Sequence, residues 1–381
     1  MSSRTAPATR TPPNVRGRPA VPVVRGPKER AAALSKGRLD WSTWPAYEAA
    51  PLGFREYWYP LTWSSRIGNQ PVRATLLGED LVIAREGGRR GLGGAIRVMR
   101  EADERTYPVA VRIGLVWVYV GDNEQPPPVE SDIPAELLRE DAVIGGRRTI
   151  RHGNWRFGAE NGIDEGHAKF LHRNALWTFK RQMPTWVRHH MEPTEGGWIT
   201  RKADEVHFDS EFPGFGRWPT RKRFWRQIGR GTARVSIKLP CTLRVQYDTW
   251  THFEWWIPVT EDRHIYLQLA TQPGRGLRAL RYRLYYWGWV RWVFHGMFNE
   301  EDALMVDVMD APPERLYRPD LAITEWRKLA ESGARGPSQK LPEAALAGER
   351  TPVDDDLPDI TALVRRSRLP LTHRLRMLLE G

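Results

Sequence analysis

The sequence has one cysteine, Cys241, and no long apolar run, and these two scarcities exclude whole classes of protein. A single cysteine cannot form an intrachain disulfide, which fits a reducing compartment. The most apolar stretch, Leu284 to Phe298, is about fifteen residues long against the ~20 that span a bilayer, and it carries Arg291 and His295. It reads as a buried or interfacial helix, so no transmembrane segment is expected. Acids are scarce at the start of the chain. The first fifty residues hold three of them (Glu29, Asp40, Glu48) against nine Lys or Arg, so half of the net charge of +12 sits in this segment. The segment also lacks the apolar core of a secretory signal, aromatics interleaved with its charges, and an amphipathic period. Residues 1–40 are therefore expected to form a solvated, disordered arm with no nucleic-acid partner, on a protein located in the cytoplasm.

What is present is enough for a large core. A chain of 381 residues at 40% hydrophobic composition fits one large α+β domain or two unequal ones, and it shows no internal repeat. Order is expected to begin near Trp41. Tyr57-Trp58-Tyr59-Pro60 opens a strand-like stretch, and Leu76 to Arg85 reads as two short strands about a Gly-Glu-Asp turn. A Gly- and Arg-rich loop follows from Glu86 to Gly94, then strand character returns at Thr106–Val109 and Gly114–Val120. The reading is a small β domain over residues 41–130.

Residues 131–332 alternate strands (Arg234 to Tyr247, Thr249 to Val259, His264 to Thr271) with helical segments at Asn161–Leu171, Leu277–Phe298 and Glu300–Met309. Long antiparallel strands curling around a late helix suggest an α+β helix-grip arrangement of the START-like kind. Residues 333–381 read as an extension dominated by Pro, Gly and charge, with a short basic helix near Thr372–Leu379.

The sharpest chemical signal runs from Asn154-Trp155 through Glu160-Asn161-Gly162-Ile163-Asp164 to His167 and His172. Histidines five residues apart are rotated by about 140° on an ideal helix, so both can reach one metal only if the helix ends or distorts between them. Asp164 lies one turn before His167, where a carboxylate can hydrogen-bond and orient a ligand imidazole. A mononuclear iron(II) that activates dioxygen needs two neutral imidazoles and one carboxylate, which requires a distant acid. Asp302 is the best candidate, with Glu300, Glu301 and Asp307 as competitors whose ordinary role is a solvated, acid-rich helix N-terminus.

Taken together, Asn-Trp, then Glu-Asn-x-x-Asp-x-x-His-x-x-x-x-His, then a late Glu-Asp on a helix resemble the catalytic α subunit of Rieske-type non-haem iron aromatic-ring-hydroxylating oxygenases. Tyr57–Pro60, Leu77–Val82 and Gly114–Val118 resemble strands that flank the iron–sulfur cluster in that family's Rieske domain. The resemblance spans roughly Tyr57 to Asp320. It implies that His167, His172 and Asp302 hold a mononuclear Fe(2+), that Asp164 bridges to the cluster of a neighbouring subunit, and that Asn161 belongs to the catalytic set. Asn154 and Trp155 are motif companions without an assigned role.

The departure from the family is equally clear. A Rieske centre needs two cysteines and two histidines, in Cys-x-His and Cys-x-x-His motifs, and the one cysteine here lies far from the N-terminal strands. No [2Fe-2S] cluster is expected in this chain, and the segment carrying both cluster loops is missing between Arg85 and Thr106.

Other histidines and the tryptophans are weighed against blander roles. His189-His190 on one strand would point to opposite faces and sit at the surface. His152 is a candidate orienting partner. Trp255-Trp256 and Trp287, Trp289 and Trp292 suit a core, a trimer interface, or an apolar pocket over the metal.

The leading reading is an iron oxygenase that hydroxylates or demethylates a bulky apolar substrate with dioxygen. Its electrons come from a ferredoxin and reductase or from a cluster-bearing paralogue in a homo- or hetero-trimer. Arg89 and Arg90 would help steer an acidic ferredoxin. The competing readings are a non-catalytic subunit of such an oligomer and an iron enzyme that needs no external reductant.

Overall fold

Three antiparallel sheets follow from the strand patterning. The computed structural model describes residues 44–87, 94–164, 166–172, 184–208, 234–247, 249–308 and 320–336. Strands β1 (Tyr57–Trp63), β7 (Leu115–Val120) and β6 (Val109–Arg112) form one sheet in that order, and β2 (Val72–Leu76), β3 (Glu79–Glu86), β4 (Ala95–Arg100) and β5 (Thr106–Tyr107) form a second. Both small sheets contact the large one. Its seven strands run in the order β8 (Ala142–His152), β14 (Arg263–Pro273), β13 (Thr251–Thr260), β12 (Thr242–Gln246), β11 (Arg234–Lys238), β10 (Trp198–Phe208) and β9 (Pro184–Thr194).

Central strands read as near-continuous apolar runs because both faces are covered. Every residue of β7 is buried, as is β13 from His252 to Val259. One core runs through both parts of the molecule. Trp117 of β7 meets Trp255 of β13 edge to face, with ring centroids 6.3 Å apart. The β2–β3 hairpin clamps onto the same strand, its turn amides of Leu77 and Gly78 donating to the carbonyls of Pro258 and Val259, each at 2.9 Å. Leu77 (φ 51°) and Gly78 (φ 76°) are both left-handed, as a two-residue hairpin of primed type requires, so the turn falls one residue earlier than the Gly-Glu-Asp reading.

Two further expectations are corrected. Arg234 to Tyr247 is a hairpin and not one strand, because Pro240 cannot donate to a ladder and the chain reverses between Lys238 and Thr242. Asn161 to Leu171 is not one helix either. Helix α1 (Trp155–Ile163) stops at Asp164, whose backbone is extended (φ −62°, ψ 129°), and α2 (Gly166–Leu171) starts afresh.

The long late helix is one run of three geometries: α3 (Gly276–Tyr285), a π-helical stretch (Tyr286–Phe298) and α4 (Asn299–Val308). Helix α5 (Leu321–Gly333), which the periodicity reading missed, closes the described fold. No helix among the described residues is long and apolar enough to cross a membrane. The loop arginines Arg89 and Arg90, the N-terminal arm and the helix expected near Thr372–Leu379 lie outside the described residues.

Candidate metal centre

Helix α1 is fixed at both ends by residues of the Asn-Trp motif and its neighbours. Asn154 is its N-cap. The Asn154 side-chain oxygen accepts from the Arg156 amide at 3.1 Å, and its amide nitrogen donates to the carbonyls of Pro51 (3.0 Å) and Glu261 (2.6 Å). Trp155 Nε1 donates to the Ala50 carbonyl at 3.0 Å. Glu160 on the far side of the helix takes a bidentate pair from fully buried Arg327 of α5 (2.9 and 2.7 Å) and a hydrogen bond from Tyr47 (3.0 Å). Sequence reasoning gave the motif companions no role and missed Arg327. The capping preference of Asn before an apolar helix was the available signal for Asn154.

Glycine sets how closely α1 approaches the sheet. A Cβ on Gly158 would lie 2.2 Å from Trp256, and one on Gly162 would lie 2.4 Å from the same ring. Trp256 therefore beds in a notch of two glycines one turn apart, and the notch leaves Asn161 facing α4.

The C-terminal end of this assembly gathers the expected ligands. His167 enters from the first turn of α2, His172 follows the last residue of that helix, and Asp302 projects from the first turn of α4. Among the described residues they are the one group of three such side chains whose ligand atoms all lie within 4.8 Å of one another. Asp302 Oδ1 stands 3.1 Å from His172 Nε2 and 3.5 Å from His167 Nε2. The break at Asp164 and the end of α2 at Leu171 supply the distortion that the five-residue spacing demands.

Both imidazoles are oriented from behind. His167 Nδ1 donates to the backbone carbonyl of Asp164 at 2.8 Å, and His172 Nδ1 donates to Glu301 Oε2 at 2.8 Å. With the Nδ1 protons committed outward, the Nε2 lone pairs face inward with a carboxylate oxygen. Three groups able to act as acceptors meet here, an arrangement satisfied by a shared cation or by a proton on an imidazole. Asn161 Nδ2 donates to Asp302 Oδ1 at 3.0 Å and holds that carboxylate in place. Phe298 stacks on His172 at 3.8 Å and 24° and seals its outer face.

The site favours positive charge, and on His172 that charge is a second proton, carried on Nε2 toward Asp302. Burial works against a charged His172, yet the carboxylates of Asp302 and Glu301 overcome it and push the imidazole up to about 9. For Asp302 burial again opposes charge, and hydrogen bonding and attraction from His172, His167 and Asn161 hold the carboxyl below the usual range. Positive charge is favoured among these groups, and the two-imidazole, one-carboxylate set fits iron(II).

The remaining candidates fall elsewhere. Glu301 is not inside the triad; it stands behind His172. Glu300 pairs with Arg147 (3.1 Å) and Arg151 (2.6 Å), and Asp307 lies further along α4. The Asp164 carboxylate is 3.8 Å from the His167 ring; it caps α2 instead, accepting from the amides of Gly166 (2.8 Å) and His167 (3.1 Å). The orienting acceptor read for that carboxylate is thus the same residue's backbone carbonyl. His189 is buried and His190 exposed, so only one of the pair is at the surface, as alternation on β9 dictates. His152 is exposed at the end of β8. Trp255 and Trp256 are core residues, whereas Trp289 is 42% exposed.

Comparison with known proteins agrees in sequence and in fold. Residues 119–202, which include the whole Asn154–His172 motif, match a family described as homotrimeric ring hydroxylases. The chain is 29% identical over 367 positions to the terminal oxygenase component of carbazole 1,9a-dioxygenase from Sphingomonas sp., covering 77% of this chain and 95% of that protein. It is 26% identical to the corresponding component from Metapseudomonas resinovorans, with 77% and 94% covered. The terminal oxygenase of carbazole 1,9a-dioxygenase from Novosphingobium sp. KA1 shares its fold, with a TM-score of 0.61 at 24% identity over 81% of this chain and 100% of that one. A reduced oxygenase–ferredoxin complex of carbazole 1,9a-dioxygenase gives 0.62 at 23% identity over 84% and 98%.

Proposed function

Proceeding from its kinship with the catalytic α subunits of Rieske-type aromatic-ring-hydroxylating oxygenases, we propose that this chain is a mononuclear non-haem iron(II) oxygenase in which His167, His172 and Asp302 hold the metal. The observation that carries the reading is the convergence of two Nε2 atoms and one carboxylate oxygen within 4.8 Å of one another, each side chain held by a further hydrogen bond. Iron bound there supplies activation of dioxygen. The chain's own residues orient the ligands: Glu301 and the Asp164 carbonyl set the tautomers, and Asn161 fixes Asp302. Phe298 and, behind it, Phe294 (ring centroids 5.1 Å apart) give the centre an apolar flank suited to a bulky apolar substrate to be hydroxylated or demethylated.

Electrons come from outside the chain. Cys241 is buried in the β11–β12 turn and burial pushes its thiol far up, so it is neither paired nor placed to ligate a cluster. The 367 positions aligned with the Sphingomonas protein exceed what 77% of a 381-residue chain can fill, which supports the loss of whole segments. A ferredoxin or a cluster-bearing paralogue in a trimer is the donor, and the quarter-exposed Asp164 carboxylate beside His167 is where it would meet the site. We read the seven-stranded sheet with its helical run, residues 131–332, as a helix-grip catalytic domain and residues 41–130 as a reduced Rieske-like domain.

The test is anaerobic loading with iron(II), with about one iron retained per chain and none of the visible absorption of a two-iron cluster. Iron content unchanged in His167→Ala or His172→Ala sinks the ligand assignment. The lone cysteine also favours a second reading, a non-catalytic subunit. Failure to turn over with every ferredoxin, reductase or paralogue supplied would select it.

A further inference from the structure

Helix α3 is apolar on two opposite faces, and only one is packed. At about 100° per residue, Ala279, Tyr282 and Tyr286 share one side of the axis, while Leu277, Leu280 and Leu284 fall within about 60° of one another on the other side. Tyr282 and Tyr286 are 4% and 1% exposed and pack with Val143 and Val290. Leu277, Leu280 and Leu284 are 85%, 51% and 66% exposed, on the face where a helix of a soluble domain ordinarily carries polar residues. Tyr285 and Trp289, each 42% exposed, continue the apolar surface into the π-helical stretch.

Charge on the helix itself has one sign. Arg278, Arg281 and Arg283 are exposed on the same helix, with Arg281 and Arg283 flanking the leucines. Arg275 at its start is also exposed, beside Glu140 at 3.2 Å. No Asp or Glu occurs between Asp262 and Glu300. Leucines in the middle, arginines that can bury their stems and raise their heads, and Tyr and Trp at one end form the pattern of a helix lying in the headgroup plane of a bilayer.

We propose that α3 docks this protein on an anionic phospholipid surface, with Leu277, Leu280 and Leu284 in the acyl boundary and Arg278, Arg281 and Arg283 among the phosphates. An acidic protein would complement the arginines but leave the leucine ridge in water. A second copy meeting this face symmetrically would set arginine against arginine. The anionic bilayer satisfies both features at once.

The full chain is sedimented with phosphatidylcholine vesicles, with and without phosphatidylglycerol, at low and high salt. Binding is expected only with the anionic lipid, and weaker as salt rises. Leu277→Glu with Leu284→Glu is expected to lower binding by tenfold or more, and Arg278→Glu with Arg281→Glu by a similar factor at low salt. Thermal melting and iron content report whether each variant folds. In a separate arm, Leu284→Cys carries an environment-sensitive dye, which the buried Cys241 does not take up, and its emission should shift to the blue on vesicles. Failure of the folded chain to bind anionic vesicles overturns the proposal. So does binding that the leucine pair leaves unchanged, which would assign it to the arm. So does a leucine pair that only dissociates an oligomer, which would make the ridge a subunit contact.

Discussion

Two clusters in this molecule hold the same inventory of two imidazoles and a carboxylate, and they do opposite things with it. In the first, His167, His172 and Asp302 send their acceptors to a common point. In the second, on the inner side of the same helical run, His252 Nε2 meets Glu254 Oε1 at 2.7 Å, His295 Nε2 meets His252 Nδ1 at 3.3 Å, and Tyr286 OH meets His295 Nδ1 at 3.2 Å. Asn299 donates to Glu254 at 2.8 Å. Read from the carboxylate outward, Glu254 Oε1 and the Nδ1 atoms of His252 and His295 each face a donor, so none of these three is left over for a cation. Residue types do not separate a metal centre from a structural network. The direction in which each imidazole spends its proton does.

That contrast can be broken at its strongest point first. Asp302→Ala or His172→Ala should abolish iron retention by metal analysis, whereas Glu254→Ala should leave about one iron per chain and lower stability by about 2–4 kcal/mol in denaturant titration, because His252 and Asn299 lose a buried acceptor. Loss of iron in the Glu254 variant would join the two clusters into one site.

Next in size are the residues behind the ligands. Glu301→Gln and Asn161→Ala should each weaken iron binding by about 10–100-fold in competition with a chelator while leaving the fold intact. An unchanged affinity in Glu301→Gln would mean that Phe298 and the helix ends alone orient His172.

Acid should then separate the buried imidazoles from the rest. Burial pulls His264 down to about 4, with the Gly153 carbonyl only partly opposing, and His295 is lowered in the same direction by burial and its cationic neighbours. Between the ordinary value near 6.5 and about 4, the unfolded chain binds a proton that folded His264 does not. Stability is therefore full above about pH 6.5 and lost as pH falls, by about 3 kcal/mol for His264. His264→Asn should flatten that part of the curve in equilibrium unfolding.

The smallest effect is expected at Asp164. Since its carboxylate caps α2 without touching the ring, Asp164→Asn should keep iron near normal and cost about 1 kcal/mol or less of stability. Turnover with an electron-donating partner should fall if the partner meets the site there.

Much of the first cluster was legible because local spacing carried it. His167, His172 and the order of the late acids could be read directly, and Asp302 was favoured over its neighbours on position. The division of labour among Glu300, Glu301 and Asp302 could not. Three adjacent acids on one helical turn look alike in sequence, and only the placement of Arg147, His172 and Asn161 around α4 tells them apart. The break at Asp164 was required by the two histidines, but no proline marks it, and the glycines two residues to either side, Gly162 and Gly166, do not place it. Its cause is the carboxylate that caps the next helix. The second cluster was invisible, since its members lie on β13, the π-helical stretch and α4, and strand alternation says nothing of which polar residues meet in a core. Leu239-Pro240 was a missed signal, because proline inside an apparent long strand should have split it.

The notch that receives Trp256 bears on how such a chain can change over generations. Gly158, Gly162 and Trp256 interlock, so a larger residue at either glycine meets the ring at under 3 Å, and a smaller one in place of the tryptophan opens a void beneath the helix that carries Asn161. Neither side can drift alone without tilting the hand that steadies Asp302. The three positions form a single heritable unit, expected to be kept or exchanged together even though none of them touches the metal.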